Sequence, residues 1–156
     1  MIWSPFVNIL EGIVDSCRDS VEPKIGSIVY CDLAFGMAEH SGVYIGNGRI
    51  VNLAGTGRIE IVTPRYFISG TTAMNIYVSC NEKNSVGCSS VADRALWMAR
   101  QKRSYRLLLD NCHQFTTGCI TGDFENASNF LWMMKDEARK ELGVNTWRYW
   151  NVKLFD

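Results

Sequence analysis

The chain has 156 residues, enough to bury a sizeable core as one unit without disulfide or metal staples. Its 16 basic residues balance 16 acidic ones with no run of either sign, which excludes the electrostatic footprint of a nucleic-acid binder. No apolar run approaches the roughly 18 residues of a membrane span, there is no Cys-x-x-Cys, and histidine occurs only at positions 40 and 113. A transmembrane segment, a metal and any other cofactor are therefore not expected.

In chain order, Ser4 and Pro5 open a helical pattern in which Val7, Leu10, Val14 and Cys17 share one face, predicting a helix over residues 5–18. A turn at Pro23-Lys24-Ile25-Gly26 leads into residues 27–33, rich in β-branched and aromatic side chains, and a second strand follows over 40–45. Gly46-Asn47-Gly48 is a hairpin signal, because glycine and asparagine tolerate positive φ, and residues 49–53 form the return strand. Further strands are predicted over 58–62 and 74–80, with an irregular stretch beginning at Pro64 between them. Beyond the polar stretch 81–90 the periodicity becomes helical. Ser89 or Ser90 caps a helix carrying Val91, Ala95, Met98 and Ala99; a second helix starts near Cys112; a third spans 126–142 and stops at Gly143.

These elements predict an α+β fold, one antiparallel sheet packed against helices in a single domain over residues 1–156. Six cysteines at positions 17, 31, 80, 88, 112 and 119 would suit three disulfides in a secreted protein, but Met1-Ile-Trp-Ser-Pro does not start like a secretory signal. A reducing, cytoplasmic setting is expected, with most of these thiols acting as small hydrophobes. The C-terminal aromatics Trp147, Tyr149 and Trp150 fold onto the body in one reading and make peripheral membrane contact in the other.

The segment Asp110-Asn111-Cys112-His113-Gln114-Phe115 carries the chemistry. A thiol at a helix N-terminus lies in the positive end of the helix dipole, which favours its thiolate. His113 is next to it in sequence, and neighbours on a helix point about 100° apart, so His40 on a strand is the better-placed base. Asn52 is the candidate for the third group, which fixes the imidazole tautomer. That assignment carries a geometric condition: a plain two-residue Asn47-Gly48 turn sends His40 and Asn52 to opposite faces of the sheet. A three-residue loop or a bulge brings them to one face. The backbone N–H of Cys112 is the natural oxyanion donor, with Gln114 or Tyr44 as side-chain candidates.

The stretch His40-Ser-Gly-Val-Tyr-Ile-Gly-Asn-Gly-Arg-Ile-Val-Asn52, followed about sixty residues later by Asn111-Cys112-His-Gln-Phe115, resembles the lecithin:retinol acyltransferase-like branch of the NlpC/P60 superfamily. Gly26-Ser27-Ile28-Val29 resembles the strand that opens that domain, and the similarity spans roughly residues 24–120. The resemblance implies a circularly permuted papain-like fold, a core over 24–120 with a C-terminal helix and tail over 126–156, and a thioester acyl-enzyme. Cys112 would be its nucleophile, His40 its base and Asn52 the third member; apart from the resemblance, His113, Gln114 and Tyr44 are the candidates for oxyanion or supporting roles. Relatives often have Asn-Cys-Glu-His-Phe where this chain has Asn-Cys-His-Gln-Phe, and an aromatic where it has Ala38. The expected reaction is accordingly hydrolysis or transfer at a peptide or amide bond. The alternatives are acyl transfer from a phospholipid or other acyl lipid, and an inactive binding module with the same fold.

Overall fold

A computed structural model describes residues 19–33, 38–101 and 111–156. The helix expected over 5–18 lies outside them, as does Cys17. The sheet consists of β1 (Ile28–Leu33), β2 (Ala38–Gly46), β3 (Arg49–Leu53), β4 (Ile59–Val62), β5 (Tyr77–Asn81), β6 (Asn84–Ser85) and β7 (Thr146–Tyr149). The order is β4-β3-β2-β1-β5-β6, with β7 on β5, and every pairing is antiparallel. The helices are α1 (Pro64–Phe67), α2 (Ser89–Arg100), α3 (Cys112–Thr121) and α4 (Leu131–Leu142). This is the α+β arrangement expected from the periodicities.

β1 is at the centre, and it is apolar on both sides because both of its faces are covered. Ile28 and Tyr30 join Val43, Val51, Phe115, Leu131 and Met134 in the core beneath α2, α3 and α4. Val29 and Cys31 face the other way, into a second cluster with Ile50, Phe67, Ile76 and Trp150. Such a run of buried residues is the pattern of a strand with two dry faces. Gly42 in β2 sits where a Cβ would come within 2.7 Å of the Val51 carbonyl oxygen, so the close approach of β3 requires glycine there.

Several boundaries differ from the sequence reading, each for a local reason. Thr63 caps α1, accepting the Tyr66 N–H at 3.2 Å with Pro64 in the first turn, so the stretch read as irregular begins with a short helix. β5 starts at Tyr77 rather than Met74, whose side chain is exposed. α4 starts at Leu131 rather than 126. Asn126 holds the preceding loop open instead: its Oδ1 accepts the Ser128 N–H, and its Nδ2 donates to the carbonyls of Gln114 and Asp123.

The C-terminal aromatics settle between their two readings. Trp147 is buried against Tyr30, ring centroids 5.4 Å apart, and Trp150 against Tyr44 at 5.2 Å, while Tyr149 packs on the helix-side core. Burial therefore takes Trp147 and Trp150 out of the expected peripheral membrane contact, while Tyr149 is half-buried. Trp147 in β7 faces the helix-side core and Trp150, just beyond the strand, faces the second cluster, so neither indole ring has a free face. Among the described residues no helix is long and apolar enough to cross a membrane.

Candidate active site

The β2–β3 hairpin decides which side chains share a face. Gly46 pairs with Arg49 across Asn47-Gly48, whose φ values of 51° and 67° suit a tight two-residue turn. The register then shifts between Tyr44 and Gly46, so Tyr44 pairs with Ile50 and Val43 with Val51. The bulge supplies the extra residue the sequence argument required. His40 and Asn52 consequently lie on one face and line the same cleft of about 280 Å³, together with Ala54, Glu60, Phe67 and Thr71.

His40 stacks on Phe67, ring centroids 4.6 Å apart. Burial lowers its pKa to about 4, so the ring is neutral near pH 7 and its lone pair is open to a proton. Asn52 is buried, and its Oδ1 has no hydrogen-bond partner among the described residues. An unmatched amide oxygen in a cleft wall is costly unless something else meets it.

Cys112 arrives from the opposite layer. Asn111 caps α3, its Oδ1 accepting the Gln114 N–H at 2.9 Å, which fixes Cys112 as the first helical residue. With Val43 opposite Val51, the last residue of β3, Leu53, falls opposite Ser41, and β2 runs on past it. The first turn of α3 meets β2 at this overhang. The Cys112 thiol donates to the Glu39 carbonyl, Sγ to oxygen 3.7 Å, beside the residue that precedes His40.

The thiol is not held as a thiolate at rest, contrary to the helix-dipole expectation. Burial is the largest influence and pushes its pKa up. Hydrogen bonding from Ser41 and the N–H groups of Cys112 and His113 favours the anion, but less strongly. Near neutral pH the Cys112 thiol and the His40 imidazole are therefore both uncharged.

The remaining candidates are engaged elsewhere. Gln114 donates through Nε2 to the Phe124 carbonyl at 3.0 Å, and the Tyr44 hydroxyl accepts the Gly48 N–H at 3.2 Å inside the hairpin. Neither reaches toward Cys112 in these contacts. The Cys112 backbone N–H remains the donor suited to a developing oxyanion.

His113, placed by sequence in a supporting position, is buried in a polar network between β2 and α3. Its Nδ1 lies 2.8 Å from Ser41 Oγ, and its Nε2 lies 3.9 Å from Glu39 Oε2. Ser41 Oγ is 2.9 Å from Thr116 Oγ1, which donates to the Cys112 carbonyl at 2.9 Å. Glu39, Ser41 and Thr116 were absent from the sequence reading. Glu39 and Ser41 signal themselves as polar residues at alternate positions on the strand face that continues as Val43, whereas Thr116, on α3, carries no such signal. Of the other described cysteines, Cys31, Cys80 and Cys119 are buried core thiols, and Cys88, rather than Ser89 or Ser90, stands at the N-cap position of α2 without a side-chain cap bond.

Residues 21–125, more than half of the chain, match the family described as lecithin retinol acyltransferase. No curated protein matched the chain.

Proposed function

The chain belongs to the lecithin retinol acyltransferase family, and from that premise we propose that it is a cysteine-dependent acyl-transfer or hydrolytic enzyme working through a thioester on Cys112. The observation that carries the reading is the seat of the sulfur on the β2 overhang, next to the strand position before His40, where His40 and Asn52 share one cleft. His40 takes the thiol proton as sulfur attacks the substrate carbonyl, and the Cys112 N–H receives the oxyanion. His40 then returns that proton to the leaving group. Water, an amine or a hydroxyl, deprotonated by the same imidazole, resolves the thioester.

The cleft favours a peptide or amide substrate. Glu60, directly across the β3–β4 pair from Asn52, is the one formally charged side chain among its described lining residues, and neither lysine nor arginine joins it. A carboxylate there attracts an ammonium group and repels a phosphate. A second reading, acyl transfer from lipid, draws on the family and on Ile61 and Tyr66, exposed large side chains lining an adjoining groove that shares Glu60. Intact-mass measurement of the wild type and Cys112→Ala after incubation with N-acyl peptides and, separately, with a lipid extract ranks the two. Acyl adducts from the peptides alone support the amide reading; adducts from lipid alone reverse the ranking.

A further inference from the structure

A second cavity, of about 300 Å³, opens between α3, the loop that follows it and the first two turns of α4, and it shares no lining residue with the His40 cleft. We propose that it is a binding site for a small organic cation, an amine that also carries hydroxyl groups. The inference is independent of the role given to Cys112.

Two buried polar atoms that lack a partner belong to its wall. Thr117 is 1% exposed and its Oγ1 has no hydrogen bond among the described residues; the Trp132 indole N–H is likewise buried and unmatched. A threonine inside a helix commonly bonds back to the carbonyl one turn earlier. Thr116 does so to Cys112 at 2.9 Å and Thr121 to Thr117 at 3.0 Å, but Thr117 does not. A buried donor and a buried hydroxyl left unmatched are costly, so the wall calls for an occupant that accepts from the indole and exchanges a hydrogen bond with Thr117. A hydroxyl oxygen does both. The charge of the lining selects the rest. Asp123, Asp136 and Glu137 are its formally charged residues, and neither lysine nor arginine joins them. Asp136 is already answered by Arg139 at 2.8 Å and Lys140 at 2.9 Å, which lie outside the lining. Glu137 stands 4.0 Å from the same Lys140, and Asp123 accepts the Glu125 N–H but has no ion pair among the described residues. These two carboxylates are left to meet a cation, and they repel a phosphate or a carboxylate. Met133 supplies apolar wall for the carbon skeleton of the ligand.

The test is a nuclear magnetic resonance titration of the full chain, labelled with heavy nitrogen in its tryptophan indoles. The probes are glucosamine and serinol, each set against its uncharged isostere, glucose and glycerol. The Trp132 Nε1–H resonance, assigned by its loss in Trp132→Phe, is expected to move saturably with both amines, and the isosteres to bind at least about threefold more weakly. Thr117→Val keeps the shape of the side chain and removes only the unmatched hydroxyl, so its urea midpoint should not fall. It is expected to weaken glucosamine binding about fivefold, the equivalent of one hydrogen bond. Glu137→Gln should weaken it about threefold, and Glu60→Gln, in the other cleft, should leave it unchanged. A resonance that neither amine moves leaves water as the occupant and overturns the proposal. So does equal binding of amines and isosteres, or an unchanged glucosamine affinity in Thr117→Val. Undiminished turnover by Cys112→Ala would sink the proposed nucleophile without touching any of these affinities, so the two failures are separable.

Discussion

Asn52 puts an unpaired amide oxygen into the wall of the His40 cleft, which a residue kept only for folding would not be expected to do. Asn52→Ala is therefore expected to lower acylation of Cys112 by about 10²-fold, the low end of what acid–base assistance contributes. Its stability should be unchanged or slightly raised, because an orphaned polar atom is removed. Burst kinetics together with urea unfolding check both halves; a large loss of stability with acylation intact contradicts the role. At this scale, the placement of His40 and Asn52 on one face and of Cys112 at a helix start was legible because strand alternation and helix capping are local rules. Glu39 and Ser41 were not, since their partners His113 and Thr116 lie more than seventy residues away. The resting state of the thiol was misjudged for a related reason: a helix start can be read from Asn111 and Cys112, but the burial that outweighs it comes from β2.

At the scale of elements, α3 is held by the loop that follows it. Gln114 binds the Phe124 carbonyl, Asn126 binds the Gln114 carbonyl, and Asn111 Nδ2 donates to Asn129 Oδ1 at 2.9 Å. Gly118 lets the Phe124 ring lie directly on the helix, where a Cβ would collide with it. Gly118→Ala should cost roughly 1–3 kcal/mol by overpacking, despite alanine's better helix propensity. It should also slow Cys112 acylation by displacing the loop that ties down the first turn. A stabilised Gly118→Ala in thermal unfolding would contradict this packing. The same loop explains why α4 begins five residues later than its apolar pattern suggests: Ala127 and Phe130 fit the helical period, but the hydrogen bonds of Asn126 outcompete the first turn. By contrast, the place of the hairpin was readable from Gly46-Asn47-Gly48, although β2 runs from Ala38 to Gly46 rather than over 40–45 and the turn takes the two-residue form with a bulge. Only the bulge at Ile45 needed the requirement that His40 and Asn52 share a face.

For the whole molecule, the two histidines link stability to acidity. His40 and His113 both have pKa values lowered to about 4 by burial, and His113 is lowered further by His40 nearby. Unfolded imidazoles titrate near 6.5, so between about pH 6.5 and 4 the unfolded chain binds more protons than the folded one. Stability should fall as pH drops through that window, by up to about 1.4 kcal/mol per unit for each histidine. Urea unfolding between pH 7 and 4.5 should show this slope, and His113→Leu should reduce it; a flat profile contradicts the burial of both rings. The two-sided sheet that buries them also separates the candidate site into a cleft on one face and a hydrogen-bonded network on the other, with Cys112 entering at the end of β3. The most direct test of this arrangement is the mass of the enzyme trapped during turnover of an N-acyl peptide. One acyl group on Cys112, absent from Cys112→Ala and much reduced in His40→Asn, is the expected result. Turnover with no adduct on Cys112, or undiminished turnover by Cys112→Ala, would contradict it.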